Sequence, residues 1–555
     1  MKRGQYMKKL LILALLVSSL FVFSACASIT TLTTQSDTTT TTTTTAPTTT
    51  TTTVTQSTAS TTPEERYQTI ELFSLNDFHG GAYSSLSTFS KMGDYLKYKR
   101  LTTDNTIIIA NGDILQGSAF SNYYHGRPII EIMNYLEFDA FVLGNHEFDW
   151  GIDEIAKYAD GNLENGEADY PFLAANIVTE SDSQMMPWTD PYTIVDINGV
   201  KVGIIGVIGD VINSITASRV AGYDFQEAYD LVREYAYELR TEQDCDIVVV
   251  SIHEYNQSVN EAIAALSGDY LVDAIFNGHT HSAQKDYILR NGTRLPYAQA
   301  SNYSSSLLAK ITLVYDRVTG NIISALSANI SESSLLSEST AVNMIIDEYS
   351  SVPAYQTFIS EELAFSNGIY SKYDLAPWGS SVIRDYAGVD FGMMNAGGFR
   401  VSIETGAITM GDLVDSYIFD NYIMTSQVTG AMLNDFCIYV ETTSRDVVFD
   451  DSVSCDASTG FKVNGQPLVN TQLYTIAAVD YVFEKTDYVF LKGINITNTG
   501  LLIRDLLAMD LRATIGFFNP ANGTSYQAVT PQKMTPYFFP SVQSKFIDDM
   551  RRSIA

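Results

Sequence analysis

Phe138-Asp139-Ala140-Phe141-Val142-Leu143-Gly144-Asn145-His146-Glu147-Phe148-Asp149 is the stretch on which the fold turns: a short apolar run that stops abruptly at glycine and then turns polar. Six mainly apolar residues bounded by glycine are too few for a buried helix and read as a buried strand. Its polar sequel places an amide and an imidazole at the strand's carboxyl end, where open α/β sheets bind ligands. The same grammar recurs along the chain. Ile70–Leu75 precedes Asn76-Asp77-Phe78-His79, and Thr106–Ala110 precedes Asn111-Gly112-Asp113. Asp246–Ser251 runs into Ile252-His253, and Ala274–Phe276 precedes Gly278-His279-Thr280-His281. Lys201–Val207 is a further strand-like run, while Ala228–Leu239 and Val259–Leu266 carry helical patterns. Alternation of this kind predicts an α/β domain over residues 66–335.

Five of the six histidines fall in these strand-end motifs. Asp77 and His79 are two apart, as are His279 and His281, so in extended backbone each pair projects to one face. A single Gly-Asp or Gly-His is usually a turn. Five such motifs holding nearly every histidine predict a site for two divalent metal ions. Carboxylates, an amide oxygen and imidazoles form a mixed O/N donor set suited to Mn, Zn, Fe or Co, and the absence of thiolates disfavours a structural zinc site.

Composition sets outer limits. Aromatic residues at 12% and hydrophobic residues at 45% describe a globular chain of 555 residues. Its net charge of −31 argues against a nucleic-acid duplex as partner, since phosphate backbones require clustered Lys and Arg. Residues 1–26 read as a targeting segment: Lys8 and Lys9, an apolar stretch from Leu10 to Phe23, then Ser24-Ala25-Cys26. Phe23-Ser24-Ala25-Cys26 resembles a bacterial lipobox, which implies a membrane anchor through a lipid on Cys26; ordinary signal cleavage is the alternative. Met7 is a second candidate start. Residues 27–65, nearly all Thr, Ser, Gln and Ala, carry no apolar periodicity and are expected to form a disordered tether. Of the remaining cysteines, Cys437 and Cys455 are the nearer pair, and Cys245 reads as a buried thiol.

A helix from Thr340 to about Ala364 is expected to link the first domain to the rest, giving a linker at 336–365. Residues 366–555 mix strands (Asp390–Asn395, Tyr474–Ala478) with helices (Gly411–Asp415, Ile503–Leu511) and predict an α+β second domain.

Taken together, D-x-H, G-D, G-N-H-E, a lone His after a strand, and G-H-x-H resemble the calcineurin-like metallophosphoesterases. Gly144-Asn145-His146-Glu147-Phe148-Asp149 and Asn395-Ala396-Gly397-Gly398-Phe399-Arg400 resemble the 5′-nucleotidase/UDP-sugar hydrolase branch. The resemblance implies a four-layer α/β/β/α phosphoesterase domain followed by an α+β 5′-nucleotidase C-terminal domain. It implies that Asp77, His79 and His281 hold one metal, that Asn145, His253 and His279 hold the other, and that Asp113 bridges them. His146, oriented by Asp149, is then the catalytic cation facing the phosphoryl group. Arg400, Asn395, Gly397 and Gly398 would grip the substrate, Phe419 and Tyr481 would stack on its base, and Asn421 and Asp487 would orient it. Two departures accompany the match. The second domain reads Gly368-Ile369-Tyr370-Ser371-Lys372-Tyr373-Asp374 where the family carries further arginines, and Lys485-Thr486-Asp487-Tyr488-Val489 where it carries a glycine-rich loop. The expected activity is phosphate removal from nucleotides outside the cell. The alternatives are a 2′,3′-cyclic-nucleotide phosphodiesterase, a UDP-sugar hydrolase or a sulfur-ester hydrolase on the same metals, or an inactive nucleotide-binding surface protein.

Overall fold

The computed structural model describes residues 66–82, 85–290, 292–301 and 305–525, so the expected signal segment (1–26) and tether (27–65) lie outside the described residues. The short apolar runs pair into two stacked sheets whose central strands are buried on both faces. The first runs Asn321–Ile330, Leu308–Asp316, Tyr67–Leu75, Thr106–Asn111, Ala140–Val142 and Phe172–Leu173 in spatial order. The second runs Gln284–Arg290, Thr293–Gln299, Ala274–Asn277, Ile247–His253, Val200–Ile208 and Tyr192–Ile197. Ile70, Leu72, Ile107, Ile109 and Val142 face Val202, Ile204, Ile247 and Val249 between the sheets. Their sequence neighbours Phe73, Ile108 and Phe141 face the outer helices Leu86–Thr102 and Arg127–Leu136. On the other side Ile205, Val207, Val248 and Val250 pack beneath Ala228–Thr241 and Gln257–Ala264. Each such buried Ile, Leu or Val contributes about 1.5–3 kcal/mol relative to exposure. The result is a four-layer α/β/β/α domain.

Within the first sheet, Tyr67–Leu75, Thr106–Asn111 and Ala140–Val142 are mutually parallel; within the second, Val200–Ile208, Ile247–His253 and Ala274–Asn277 are. Parallel order brings all of their carboxyl ends to one edge of the domain, and every metal motif follows one of those ends.

The expected single helix from Thr340 to Ala364 is instead two, Thr340–Ser350 and Pro353–Ile359, followed by the strand Glu362–Ser366. Pro353 is the cause. It lacks a backbone N–H, and it drives Val352 to an extended conformation (φ −61°, ψ 121°). Beyond this corner a second core forms around the sheet Val448–Phe449, Phe391–Met394, Leu473–Val479, Tyr422–Thr429 and Ile494–Leu502. Helix Lys372–Ala387 lies so close to this sheet that a Cβ on Gly392 would meet the Ser380 carbonyl at 2.0 Å. A disulfide, Cys437–Cys455, ties helix Gly430–Thr443 to the strand Val453–Asp456 with Cα atoms 5.6 Å apart. Cys245 is buried and unbridged.

Candidate metal centre

The strand-end loops carry unusual backbone. Asp77 (φ 53°), His79 (φ 50°), Asp113 (φ 55°), His279 (φ 73°) and His281 (φ 53°) all lie in the left-handed region. Non-glycine residues there cost on the order of 1–3 kcal/mol each, and such strain gathers where function over-determines the geometry. The loops also approach one another closely. A Cβ on Gly112 would meet His253 Nδ1 at 2.3 Å, and one on Gly144 would meet Asp113 Oδ1 at 2.5 Å. Both glycines are therefore required by close packing, and only Gly112 (φ 78°) also needs a positive φ.

Two groups of donor atoms converge. Asp77, His79, Asp113 and His281 offer one ligand atom each within 4.8 Å of one another, as do Asp113, His253 and His279. Asp113 is common to both. His79 Nε2 is 3.2 Å from His281 Nε2, and His281 Nε2 is 3.4 Å from Asp77 Oδ1. Asp113 Oδ2 lies 3.1 Å from His253 Nε2 and 4.0 Å from His79 Nε2. Asn145 Oδ1 joins the second group, 2.8 Å from His279 Nδ1 and 3.2 Å from His253 Nε2. The Asn145 Nδ2 amide nitrogen is buried without a partner, which aligns the side chain as an oxygen donor.

This set fits divalent cations. His79 Nδ1–H donates to the Gln116 carbonyl (3.1 Å) and His253 Nδ1–H to the Asn111 carbonyl (2.8 Å), which turns each Nε2 lone pair toward the cluster. Burial pushes the Asp77 carboxyl up to about 7, so added positive charge would favour its ionised form, whereas the neighbouring His253, His146 and His79 hold Asp113 well below the usual carboxylate range against its own burial. Two buried carboxylates, an amide oxygen and four imidazoles suit first-row metals of the Mn-to-Zn series; the donor set does not choose among them.

His146 stands beside the cluster. Its Nδ1 pairs with Asp149 Oδ2 at 2.7 Å, its backbone N–H donates to Asp113 Oδ1 at 2.8 Å, and Arg400 Nη2 approaches its Nε2 at 3.4 Å. Burial alone would lower the imidazole's affinity for a proton, but Asp149 and Asp113 outweigh it and hold the group above its ordinary value. A cavity of about 230 Å³ opens over this face. Its walls include Asn145, His146, Asp149, Arg400, Phe419 and Tyr481.

Several expected substrate contacts are committed elsewhere. Phe419 lies against His146 (ring centroids 5.5 Å) with the Arg400 guanidinium over it at 5.1 Å. Tyr481 lines the cavity, and the Lys485 ammonium covers its ring at 3.9 Å. Asn395, Gly397 and Asn421 also line it, but the Asn421 amide is held by Asp480 (2.6 Å) and Tyr417 (3.0 Å). Gly398 packs instead against the Tyr417 ring, where a Cβ would come within 2.7 Å. Asp487 is not among the cavity-lining residues: its carboxylate accepts from Arg445 at 2.7 Å and from the Tyr439 hydroxyl at 2.5 Å. Lys372 sits over its own neighbour Tyr373.

Sequence reasoning missed three residues. Glu147, quoted within its motif but given no role, is buried and accepts four backbone N–H bonds, from Asp113, Ile114, Leu115 and Gly144, at 2.8–3.3 Å. It clamps the loop of Asp113 to the loop of Asn145 and His146. A buried glutamate inside a metal motif was the available signal. Arg219 reaches from the first domain to the Asp420 carbonyl (2.8 Å), and Asp446 accepts from the amides of Ala396 and Gly397 (3.0 and 2.9 Å); no local pattern marks either.

A four-layer α/β fold with buried His, Asp and Asn donors at its parallel strand ends offers a place for two divalent cations. Residues 73–283 match the model of the calcineurin-like phosphoesterase family and residues 325–449 that of the 5′-nucleotidase C-terminal domain, together more than half of the chain. The chain belongs to the calcineurin-like phosphoesterases that carry a 5′-nucleotidase C-terminal domain. It is 26% identical over 409 residues to endonuclease YhcR of Bacillus subtilis (67% of this chain, 33% of that one). It is 24% identical over 503 residues to cell wall protein Lmo0130 of Listeria monocytogenes (75% and 63%). The chain thus spans about a third and under two thirds of these relatives' lengths. Among solved structures, the 5′-nucleotidase precursor of Thermus thermophilus superposes with a TM-score of 0.65 at 17% identity, over 80% of this chain and 96% of that one, a likeness of fold.

Proposed function

We propose that this chain is a metal-dependent phosphohydrolase that removes phosphate from nucleotides, acting outside the cytoplasm. The observation that carries the proposal is the sharing of buried Asp113 by two donor groups, with the His146–Asp149 pair and Arg400 at the same opening. In this reading Asp77, His79 and His281 hold one cation, Asn145, His253 and His279 the other, and Asp113 touches both. When bound, two such cations supply Lewis acidity toward the phosphoryl oxygens and activate water.

The chain's own residues do the rest. Asp149 fixes the His146 ring so that Nε2 faces the cavity, where its protonated form can donate to a phosphoryl or leaving oxygen. Arg400 offers a guanidinium fork to the same oxygens, next to His146. Phe419 and Tyr481 wall the cavity with aromatic surface against which a base can lie. Glu147 keeps the two ligand loops in register. Export is supported by the Cys437–Cys455 disulfide, which persists in oxidising compartments. Among the described residues no helix is long and apolar enough to cross a membrane. The signal segment and the Cys26 anchor remain part of this proposal.

A second reading keeps the metals but cleaves phosphodiesters, UDP-sugars or sulfur esters. Its support is the diversion of Asp487 to Arg445 and the commitment of the Asn421 amide, which leave the nucleoside end of the cavity with few groups to read a ligand. Hydrolysis after EDTA stripping and add-back of Mn, Zn or Co separates the readings, with the direct product of each substrate measured: phosphate from AMP, adenosine monophosphate from 2′,3′-cyclic AMP, UMP and glucose 1-phosphate from UDP-glucose, and p-nitrophenol from bis(p-nitrophenyl) phosphate. Metal-restored turnover favouring AMP is the expected result. Diester turnover without AMP turnover would transfer the conclusion to the second reading, and nucleotide affinity without turnover in any metal would refute both.

A further inference from the structure

Gln116 touches both halves of the proposed site. It stands in the loop after the strand Thr106–Asn111, three residues beyond Asp113, and is fully buried. Its backbone carbonyl accepts the Nδ1–H of His79 at 3.1 Å. Its side chain reaches the second domain, where Nε2 donates to the Ile418 carbonyl at 2.6 Å. Asn122, in the helix Ala119–Tyr123, makes the same connection. Its Oδ1 accepts the Gly117 N–H at 2.8 Å and its Nδ2 donates to the Ile418 carbonyl at 2.8 Å. One carbonyl thus takes two buried amide donors, 302 and 296 residues away in sequence. The other end of the Gln116 amide, Oε1, is buried with no partner. Such an oxygen costs stability, and an apolar side chain of equal length would avoid that cost. What the amide contributes here is its donor.

Ile418 belongs to the segment that carries Arg400. The Ser416 carbonyl accepts the Arg400 backbone N–H at 2.7 Å, and Ser416 Oγ donates to the Val401 carbonyl at 2.7 Å. Phe419, the residue after Ile418, has the Arg400 guanidinium over its ring at 5.1 Å. Residues 416–419 therefore hold Arg400 by its backbone and by its side chain, and Gln116 ties that segment to the loop of Asp113. Arg400 Nη2 stands 3.4 Å from His146 Nε2, so a shift of the segment against the metal loop would carry the guanidinium away from the imidazole that shares its phosphoryl group. We infer that Gln116 is a positioning residue for the hydrolysis: its side-chain amide, supported by that of Asn122, sets where Arg400 stands relative to the metal centre. The role rests on the phosphohydrolase reading above and adds to it a residue that lies outside the cavity wall.

A double-mutant cycle between Gln116→Met and Arg400→Met tests this role, with kcat/KM measured on the panel substrate that the metal-loaded wild type turns over fastest. Gln116→Met alone should lower kcat/KM by about ten- to a hundredfold, the scale of a displacement of about 1 Å at a reacting group. Its metal content should match wild type, since the backbone carbonyl that orients His79 is kept. In the Arg400→Met background the same substitution should cost less than about threefold, because the group it positions is already gone. An equal fold-loss in both backgrounds, no loss in either, or loss of metal in Gln116→Met would overturn the role. Should Gln116→Met fail to fold, Gln116→Asn, whose amide falls one methylene short of Ile418, enters the same cycle with the same outcomes. Absence of turnover on every panel substrate by the metal-loaded wild type refutes the phosphohydrolase reading and this role with it; turnover with additive losses refutes this role alone.

Discussion

Replacing Glu147 by glutamine changes one oxygen to an NH₂ group at the junction of the two metal-bearing loops. Oε2 accepts from Asp113 and Gly144, both at 2.8 Å, and Oε1 from Ile114 at 2.8 Å and Leu115 at 3.3 Å. Whichever way the new amide turns, its NH₂ meets two backbone N–H donors. Hydrogen bonds to charged groups contribute about 1.5–3 kcal/mol each, so losing two costs about 3–5 kcal/mol, allowing for their non-additivity. That is a large share of the roughly 5–15 kcal/mol by which domains are stable. The same bonds hold Asp113 beside Asn145, so metal affinity should fall by at least about tenfold, the range seen when groups that orient ligands are lost. Urea unfolding and metal content by mass spectrometry, run on Glu147→Gln and wild type, measure both effects. A variant within about 1 kcal/mol of wild type that keeps its full metal content would show that Glu147 is not the clamp described.

Two further outcomes test other parts of the site. His146→Asn should lower kcat by about 10²–10³-fold while both metals stay bound, because the ring removed stabilises developing charge and is not a ligand; loss of metal with activity would contradict that role. Asp415 accepts the Ala119 N–H at 2.6 Å across the two domains, and burial raises its carboxyl to about 6. The folded protein thus holds this proton more tightly than the unfolded chain, where the group titrates near 3.8. Its contribution to stability is full below about pH 4 and is lost as pH rises through 6, by at most about 3 kcal/mol. Asp415→Asn, which keeps the acceptor oxygen, should abolish that dependence in unfolding midpoints measured from pH 4 to 7; an unchanged profile would refute the assignment.

How much of this was legible beforehand depends on the range of the interaction. Strands such as Thr106–Asn111, buried along their whole length, announced themselves as short apolar runs that stop at Gly or Asp, and the ligand motifs through their place just after those strands. The helix break at Pro353 was equally local and could have been read from the proline, yet a continuous helix was expected across it. The clamp at Glu147 was half visible, since a glutamate beside a metal motif is legible but its four amide partners are not.

What the chain's order of residues determined by itself was the layered α/β plan and the candidate donors gathered with Asp113, because both follow from short apolar runs and from the turns that begin where a strand ends. What only tertiary structure decided was the company those residues keep. Arg445 draws Asp487 off the cavity wall, Lys485 covers Tyr481, and Asp480 takes the Asn421 amide. Partners such as Asn421 and Asp480 are 59 residues apart, and His146 and Arg400 are 254 apart. Side chains at such separations meet only through the packing of whole elements, and no local pattern in the sequence encodes which donor reaches which acceptor.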